Sequence, residues 1–285
     1  MDILIIGAGG MGALFSKLMH EDHEVSVYDK DPKKSEALAS QLAVKPIQKL
    51  EKIDKYGLVL LSVPISAIST LIEKLSFEMR RGSILVEIAS IKFPVIESLR
   101  KARRRGINTI SLHPLFGPGI RDPSKGKAAI VEVMDIEEEI SLASTIFPFQ
   151  LIPTNEEEHD KVMAWLGLIH LILNSYLASS DEDAHNISKL FTTTLQTFTK
   201  LAASTLTQDS RLTQELIDLN PEFPKKLSMF LETLTERYKD IDGMRSSIKA
   251  WKSLLDIEDA YRSCLLYTSD AADELDGVDL GGRRI

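Results

Sequence analysis

A glycine-rich turn near the N-terminus constrains the fold more than any other feature of the sequence. Residues 2–6 form a short apolar run, and the pattern G-x-G-x-x-G follows directly at residues 7–12, before a stretch with helical apolar spacing. A second apolar run, residues 24–28, ends at Asp29. Strand, glycine turn, helix, strand and acid in this order are typical of a dinucleotide-binding βαβ unit.

The glycines of this turn have distinct expected roles. Gly7 would make the tight turn, Gly9 would let the backbone approach a pyrophosphate, and Gly12 would let the helix pack closely on the strand. The first helical residues, with Gly10 and Met11, offer unpaired N–H groups and positive potential to the phosphates. The sequence therefore predicts a cofactor with a pyrophosphate at this turn.

Asp29 distinguishes between the two nicotinamide cofactors. Such an acid accepts hydrogen bonds from the ribose hydroxyls, and its charge would repel a 2′-phosphate. We therefore predict NAD rather than NADP, with the neighbouring Lys30 as a moderating charge. Further cofactor contacts are expected at the end of the next apolar strand, at Ser62, Val63 and Pro64.

Strand and helix signals alternate as far as residue 154. The strands are continuous apolar runs, as expected when helices cover both faces of a parallel sheet. We predict an α/β protein, with a Rossmann-type doubly wound sheet over residues 1–154 and an all-α helical domain over residues 155–263. The predicted helices of the second domain are residues 155–178, 183–207, 209–219, 222–240 and 244–262.

Charge and hydropathy exclude several classes of protein. The net charge is −8 and no basic stripe is present, which argues against a nucleic-acid partner. No apolar run reaches the roughly 18 residues that a membrane span needs, and no signal-peptide pattern precedes the first strand. We expect a cytoplasmic protein that binds a small molecule, with no membrane partner and no metal site.

Residues 264–285 resemble a translated sequencing adapter rather than a natural protein segment. They read CLLYTSDAADELDGVDLGGRRI and contain Cys264, the one cysteine of the chain. Five acids against two bases give this tail a net charge of −3, which is part of the net charge of −8 of the whole chain. We leave it out of the fold prediction because such processing remnants do not shape a fold.

A histidine ends another predicted strand, residues 107–112. Pro114 favours an extended backbone at His113, and the turn that contains Gly117 then takes the chain out of the sheet. In open α/β sheets, ligands bind at the carboxyl ends of the strands. The imidazole of His113 is therefore expected at a ligand site.

Other polar residues could reach the same place. Ser90 and Lys92 follow the predicted strand at residues 83–88, whose carboxyl end shares that edge of the sheet. Lys92 is also compatible with a solvated lysine at a helix start. His170 lies three turns into the helix predicted at residues 155–178, on its apolar face, where a histidine is usually a packed core residue.

Seven groups of residues share their order and spacing with a known family: the glycines at residues 7–12, Val63-Pro64, Ser90-x-Lys92, Leu112 through His113-Pro114-Leu115-Phe116-Gly117 to Pro118, His159-Asp160, His170, and Gln208 through Leu212 to Asn220-Pro221. Together they resemble prephenate dehydrogenase, a family of tyrosine biosynthesis that includes the arogenate dehydrogenases. The resemblance covers essentially residues 1–263, and the H-P-L-F-G-P segment is its most specific part.

The resemblance implies an NAD-dependent oxidative decarboxylation of prephenate to 4-hydroxyphenylpyruvate, or of arogenate to tyrosine. It implies that His113 is the general base on the ring hydroxyl, that Ser90 holds His113 or the hydroxyl, and that His170 contacts substrate. An unperturbed imidazole, with a pKa of ~6.5, is largely neutral at pH 7. A homodimer through the helical domain is also implied.

The resemblance implies several further site residues. Lys92, Gly117 and Arg121 are expected near the substrate, where Lys92 would orient its turn or add positive potential. His159 and Asp160 begin the helix, where capping and complementing the helix dipole explain them, most clearly for Asp160.

One position departs from the family. The arginine that usually binds a substrate carboxylate on the second long helix falls at Ser204, and a nearby one falls at Gln196. Neither side chain makes a bidentate charged clamp. Three readings stay open: another cation such as Arg121 serves the carboxylate, the enzyme oxidises a different small acid, or the chain is a regulatory protein that binds nucleotide without turnover.

Overall fold

An eight-stranded sheet forms the centre of the computed structural model, which describes residues 1–207, 209–256 and 259. The strands are β1 (Asp2–Ile6), β2 (Glu24–Tyr28), β3 (Lys45–Ile47), β4 (Leu58–Leu61), β5 (Ile84–Glu87), β6 (Asn108–Pro114), β7 (Lys127–Val131) and β8 (Gln150–Thr154). Their spatial order is β3-β2-β1-β4-β5-β6-β7-β8, and neighbours run parallel except β6 and β7, which are antiparallel. The order 3-2-1-4-5-6 is that of a doubly wound dinucleotide-binding sheet.

The described residues form twelve α-helices, five of them between the strands of the sheet. They are α1 (Gly10–Met19), α2 (Pro32–Gln41), α3 (Ile65–Glu78), α4 (Ile96–Arg104), α5 (Ile136–Ser144), α6 (Glu156–Ser180), α7 (Ala184–Lys189), α8 (Thr193–Ser204), α9 (Ser210–Asp218), α10 (Phe223–Arg237), α11 (Ile241–Ser247) and α12 (Ala250–Leu254). The predicted α/β class, with a Rossmann-type sheet before a helical region, is confirmed.

The apolar runs form strands because helices bury both faces of the sheet. Every residue of β4 is fully buried, and Ile3, Leu4 and Ile5 of β1 are as well. Burying one such side chain stabilises the fold by about 1.5–3 kcal/mol. The short edge strand β3 was not predicted, because its three residues are exposed or half-buried and carry no apolar pattern.

The contacts within the chain divide it into two compact units. The first consists of residues 1–165 together with residues 214–223, and the second of residues 166–213 and the chain from residue 224 on. The division falls inside α6 rather than at residue 154, so the first turns of α6 are part of the unit that contains the sheet.

The prediction of one helix over residues 183–207 is wrong. The chain forms α7, breaks at residues 190–192, and starts again as α8, where the Thr192 hydroxyl accepts a hydrogen bond from Leu195 N at 3.3 Å. Threonine hydroxyls bond to nearby backbone groups and so favour helix starts over helix interiors. The helix predicted at residues 244–262 is likewise divided into α11 and α12. Its end, apart from residue 259, and the tail at residues 264–285 with Cys264 lie outside the described residues.

One helical stretch of the described chain is long and apolar enough to cross a membrane. It spans Glu156–Lys189, with a mean hydropathy of 1.5 in its most apolar window. The core helix of a soluble protein meets the same criterion, and the start of this stretch carries His159 and Asp160, both buried against polar partners of the first unit.

Candidate active site

The glycine turn is packed so closely that two of its positions exclude a side chain. Gly7 has a φ of +106°, and a Cβ built there would lie 1.9 Å from the Ser62 carbonyl oxygen. A Cβ at Gly12 would lie 1.8 Å from the Gly7 carbonyl oxygen. The half-buried residues Ser62, Val63 and Pro64 after β4 flank this turn, and Ser62 N donates to Ile6 O at 2.8 Å.

The start of α1 is open by comparison. A Cβ at Gly9 would meet no atom within 4 Å, no side chain caps the helix, and its first turn contains no acid. By contrast, Asp31 caps α2 by accepting from Lys33 N at 3.1 Å. The N–H groups in the first turn of α1, at Gly10 and Met11, thus lack intrahelical partners and can hold an anion.

Two further segments contact the glycine turn. The Asp29 carboxylate, at the end of β2, accepts from Ala8 N at 2.8 Å. The turn after β6 reaches the loop from another side, since a Cβ at Gly10 would lie 2.9 Å from Pro118 Cγ. In that same turn Gly117 and Arg121 are exposed. The histidine-proline motif and the glycine motif, about a hundred residues apart, therefore border one site.

A chain of three buried side chains lies at the end of β6. His113 Nδ1 is 2.9 Å from His159 Nε2, and the two rings meet edge to face. His159 Nδ1 is in turn 2.7 Å from Asp160 Oδ1. His113, His159 and Asp160 are 8%, 4% and 2% exposed. The start of α6 thus supplies the partners of the strand-end histidine.

Asp160 also fixes the start of α6 to the turn after β5. Its carboxylate accepts from Lys92 N at 2.9 Å and from Phe93 N at 2.8 Å, while its carbonyl oxygen accepts from Asn220 Nδ2 at 2.8 Å. Its expected role in capping its own helix is wrong, because the carboxylate instead caps a neighbouring turn and holds His159.

Lys92 is fully buried in an ion pair. Its Nζ lies 2.7 Å from Glu87 Oε1 and 2.9 Å from the Leu112 carbonyl oxygen, and Ser111 Oγ donates to the same Glu87 oxygen at 2.5 Å. Neither a solvated lysine nor a substrate contact fits this placement, because the ammonium is enclosed and its donors point at protein acceptors. Of the expected roles of Lys92, its placement fits added positive potential, because its buried charge acts on His113.

These surroundings keep both histidines neutral. Burial, followed by the charge of Lys92, holds the pKa of His113 well below its ordinary value of 6.5. Burial also lowers the pKa of His159, although the hydrogen bond to Asp160 works in the opposite direction. Burial lowers the pKa of Lys92 as well, opposed by Glu87. At pH 7, His113 is thus a neutral imidazole that can accept a proton.

Ser90 does not hydrogen-bond His113, which was one of its two expected partners, the other being the substrate hydroxyl. Within the described chain its hydroxyl has no hydrogen-bond partner, and the Nδ1 atom of His113 is taken by His159. Sequence reasoning had the relevant signal, the His159-Asp160 pair directly after the last strand, but local spacing could not show which strand end the pair would meet.

The other expected site residues lie in the second unit. Burial lowers the pKa of His170, and its Nδ1 lies 3.1 Å from Thr213 Oγ1. Ser204 is exposed and donates its hydroxyl hydrogen to Leu201 O at 2.7 Å, within its own helix.

A cavity of about 600 Å³ lies in the first unit, and Asp160 is one of its lining residues. Phe93, Arg100, Met134 and Glu156 are among its lining residues, whereas His113 and the glycine turn are not. Among the residues that the structure describes, no group of three acidic, histidine or cysteine side chains is arranged to hold a metal ion.

Comparison with known proteins supplies the family context. The family described as "Prephenate dehydrogenase, nucleotide-binding domain" matches residues 13–132. A curated relative from Methanocaldococcus jannaschii, named "Probable arogenate/prephenate dehydrogenase", is 24% identical over 188 residues. That match covers 63% of this chain but only 42% of the relative, so the chain spans less than half of that protein's length.

Solved structures show the same fold over nearly the whole chain. Synechocystis arogenate dehydrogenase superposes with a TM-score of 0.63 at 18% identity, covering 96% of this chain and all of that one. Prephenate dehydrogenase from A. aeolicus, in complex with hydroxyphenyl propionate and NAD+, gives a TM-score of 0.60 at 19% identity, covering 98% of both chains.

Proposed function

Because residues 13–132 match the nucleotide-binding domain of the prephenate dehydrogenase family, we propose that the protein oxidises prephenate or arogenate with NAD and releases CO₂. The observation that carries this proposal is a buried, neutral His113 at a strand's carboxyl end, in a motif whose Pro118 touches the glycine turn at Gly10. A base and a dinucleotide site next to each other are what such an oxidation requires.

The residues of the glycine turn fit NAD. The open backbone at Gly9 and the uncapped start of α1 suit a pyrophosphate, and the Asp29 carboxylate suits a ribose with free hydroxyls. Ser62, Val63 and Pro64 would complete the cofactor site. NAD, when bound, supplies the hydride acceptor.

The protein's part of the reaction is proton handling and positioning. The ring hydroxyl would give its proton to His113 Nε2 as its carbon loses hydride and gains double-bond character to oxygen. The bond to the ring carboxylate then breaks, CO₂ leaves, and the electron pair makes the ring aromatic. The phenolate oxygen takes the proton back from His113. Ser90 and His170 are proposed as substrate contacts, as is the exposed turn at Gly117.

A related oxidoreductase for another small acid is the second candidate. It is favoured by Ser204, whose hydroxyl is bonded within its own helix and which carries no charge where an arginine is expected. Arg121, which is exposed in the turn after β6, could serve the substrate carboxylate instead.

We also propose that the protein is a cytoplasmic homodimer. The second unit exposes large apolar side chains, among them Leu201, Trp251 and Leu254. Clusters of exposed apolar surface commonly mark protein interfaces. Sedimentation velocity at micromolar concentration should give the mass of a dimer, and a monomer would contradict the proposal.

Purified protein with NAD and either prephenate or arogenate tests the main proposal. NADH absorbance should appear with at least one of the two substrates, and CO₂ should be released in equal amount. Replacing His113 by Asn (His113→Asn) should lower kcat by about 100- to 10,000-fold, because a positioned general base contributes that much. A protein that binds NAD but oxidises neither substrate would contradict the main proposal and favour either the second candidate or a regulatory protein without turnover.

A further inference from the structure

The geometry points to His159 and Asp160 as positioning residues that decide which nitrogen of His113 carries its proton. This inference rests on the proposed role of His113 as the base. It assigns a function to a pair of residues that local spacing explained only as a helix start.

The hydrogen-bond chain begins at Asp160. An ionised carboxylate only accepts hydrogen bonds, and this one faces Lys92 N, Phe93 N and His159 Nδ1 within 3.1 Å. The proton of neutral His159 must therefore reside on Nδ1. That leaves a lone pair on His159 Nε2, which points at His113.

The next link determines the tautomer of His113. Because His159 Nε2 can only accept, the 2.9 Å contact requires that His113 Nδ1 carry the hydrogen. A neutral imidazole has one N–H, so the lone pair of His113 falls on Nε2. Nε2 is the nitrogen that the proposed mechanism uses to take the substrate proton, and the opposite tautomer would have no lone pair there.

The hydrogen bonds from His113 through His159 to Asp160 also offset the effect of the buried Lys92 ammonium on a protonated His113. Groups that face the two imidazoles are the ammonium of Lys92, the carboxylate of Glu87 that pairs with it, and the carboxylate of Asp160. Lys92 disfavours a second positive charge on His113. When His113 is protonated, the bond from its Nδ1 to His159 strengthens, and His159 in turn donates to the Asp160 carboxylate.

Two replacements of His159 separate positioning from packing. In His159→Gln, the amide oxygen lies near the former Nε2 position and can still accept from His113 Nδ1. In His159→Phe, the ring and its edge-to-face packing on His113 are retained, but no acceptor is left. Asp160 is left unchanged because it also holds the Lys92 turn, so its replacement would mix two effects.

We expect His159→Phe to lower kcat by about 100-fold, with the KM for NAD unchanged, because the base is then often in the wrong tautomer. His159→Gln should recover at least tenfold of that loss. Nitrogen-15 NMR of histidine-labelled protein should show His113 with a protonated Nδ1 in the wild type and in His159→Gln. In His159→Phe the Nε2-protonated form should gain population.

Equal activity of the Gln and Phe variants, or an unchanged Nδ1-protonated His113 in His159→Phe, would overturn the inference. Thermal unfolding and NAD binding of both variants verify that the fold is retained. The tautomer spectra need no turnover, so they test the inference even if neither prephenate nor arogenate is oxidised. In that case the proposed substrate fails while the role of His159 is still decided by the spectra.

Discussion

The glycine turn and the His113 cluster border the same site but are built in opposite ways. The turn is assembled from residues 7–12 and the strands beside it, and its key restriction is that no side chain fits at Gly7 or Gly12. The cluster joins Lys92, His113 and His159, which come from three segments far apart in sequence. A site can therefore combine a half that a short motif specifies with a half that only the tertiary fold assembles.

Lys92→Met should destabilise the His113 cluster, the second half of the site, more than any other change. It leaves the Glu87 carboxylate buried without its ion-pair partner, and loss of one partner of a buried pair typically costs 3–5 kcal/mol. Chemical denaturation should therefore show a lower free energy of unfolding by about that amount.

The double variant Lys92→Met with Glu87→Gln is the matched control, because it removes both charges together. It should recover most of the lost stability, since an uncharged pair needs no counter-ion. Equal stability of the wild type and the single variant would show that the buried pair is not the support we take it to be.

The contrast between the two halves explains what the sequence could predict. The alternation of strands and helices, the glycine turn and Asp29 follow from local periodicity and spacing, and the structure has the predicted α/β fold. The ion pair of Lys92 and the contact of His159 with His113 depend on which strand end the start of α6 meets. Local spacing carries no information on that pairing, so it could not show that Lys92 is enclosed in an ion pair or that His159 is the hydrogen-bond partner of His113.

The helical region shows the same limit for a different reason. Apolar spacing predicts helices over residues 183–207 and 244–262, but it does not show where a helix is interrupted. The break before α8 depends on the hydroxyl of Thr192, one of three consecutive threonines, acting as a cap. Several hydroxyl residues nearby offer the same local hydrogen bond, so the position of the break could not be chosen from composition.

Gly12→Ala and Gly9→Ala test the first half at two neighbouring positions. The methyl group at residue 12 would collide with the Gly7 carbonyl oxygen, whereas at residue 9 it would enter open space. We expect Gly12→Ala to lower the free energy of unfolding by about 1–3 kcal/mol, as overpacking does. Gly9→Ala should leave stability within about 0.5 kcal/mol.

If the glycine turn binds NAD as proposed, the two variants should rank in the opposite order for NAD affinity, with Gly9→Ala the more impaired. Gly9→Ala puts a methyl group where the pyrophosphate is expected, so calorimetric titration should show weaker NAD binding in a protein of normal stability. Unchanged NAD affinity of Gly9→Ala would contradict the proposed position of the cofactor.

The free energy of unfolding at acid pH should depend on the two neutral histidines of the His113 cluster. The folded-state pKa values of His113 and His159 are both lowered, so below about pH 6.5 the unfolded chain binds more protons than the native one. The free energy of unfolding should then fall as the pH decreases from about 6.5 towards the folded-state pKa values, by at most about 1.4 kcal/mol per pH unit for each histidine. Above that window both histidines are neutral in both states, and neither contributes to the slope.

Denaturation curves at pH 7.5, 6.5 and 5.5 measure this slope. In His159→Gln it should be smaller, because one of the two histidines is gone. If that variant has the wild-type slope, the pKa of His159 does not differ between the folded and unfolded states, and the acid sensitivity comes from His113 and other residues.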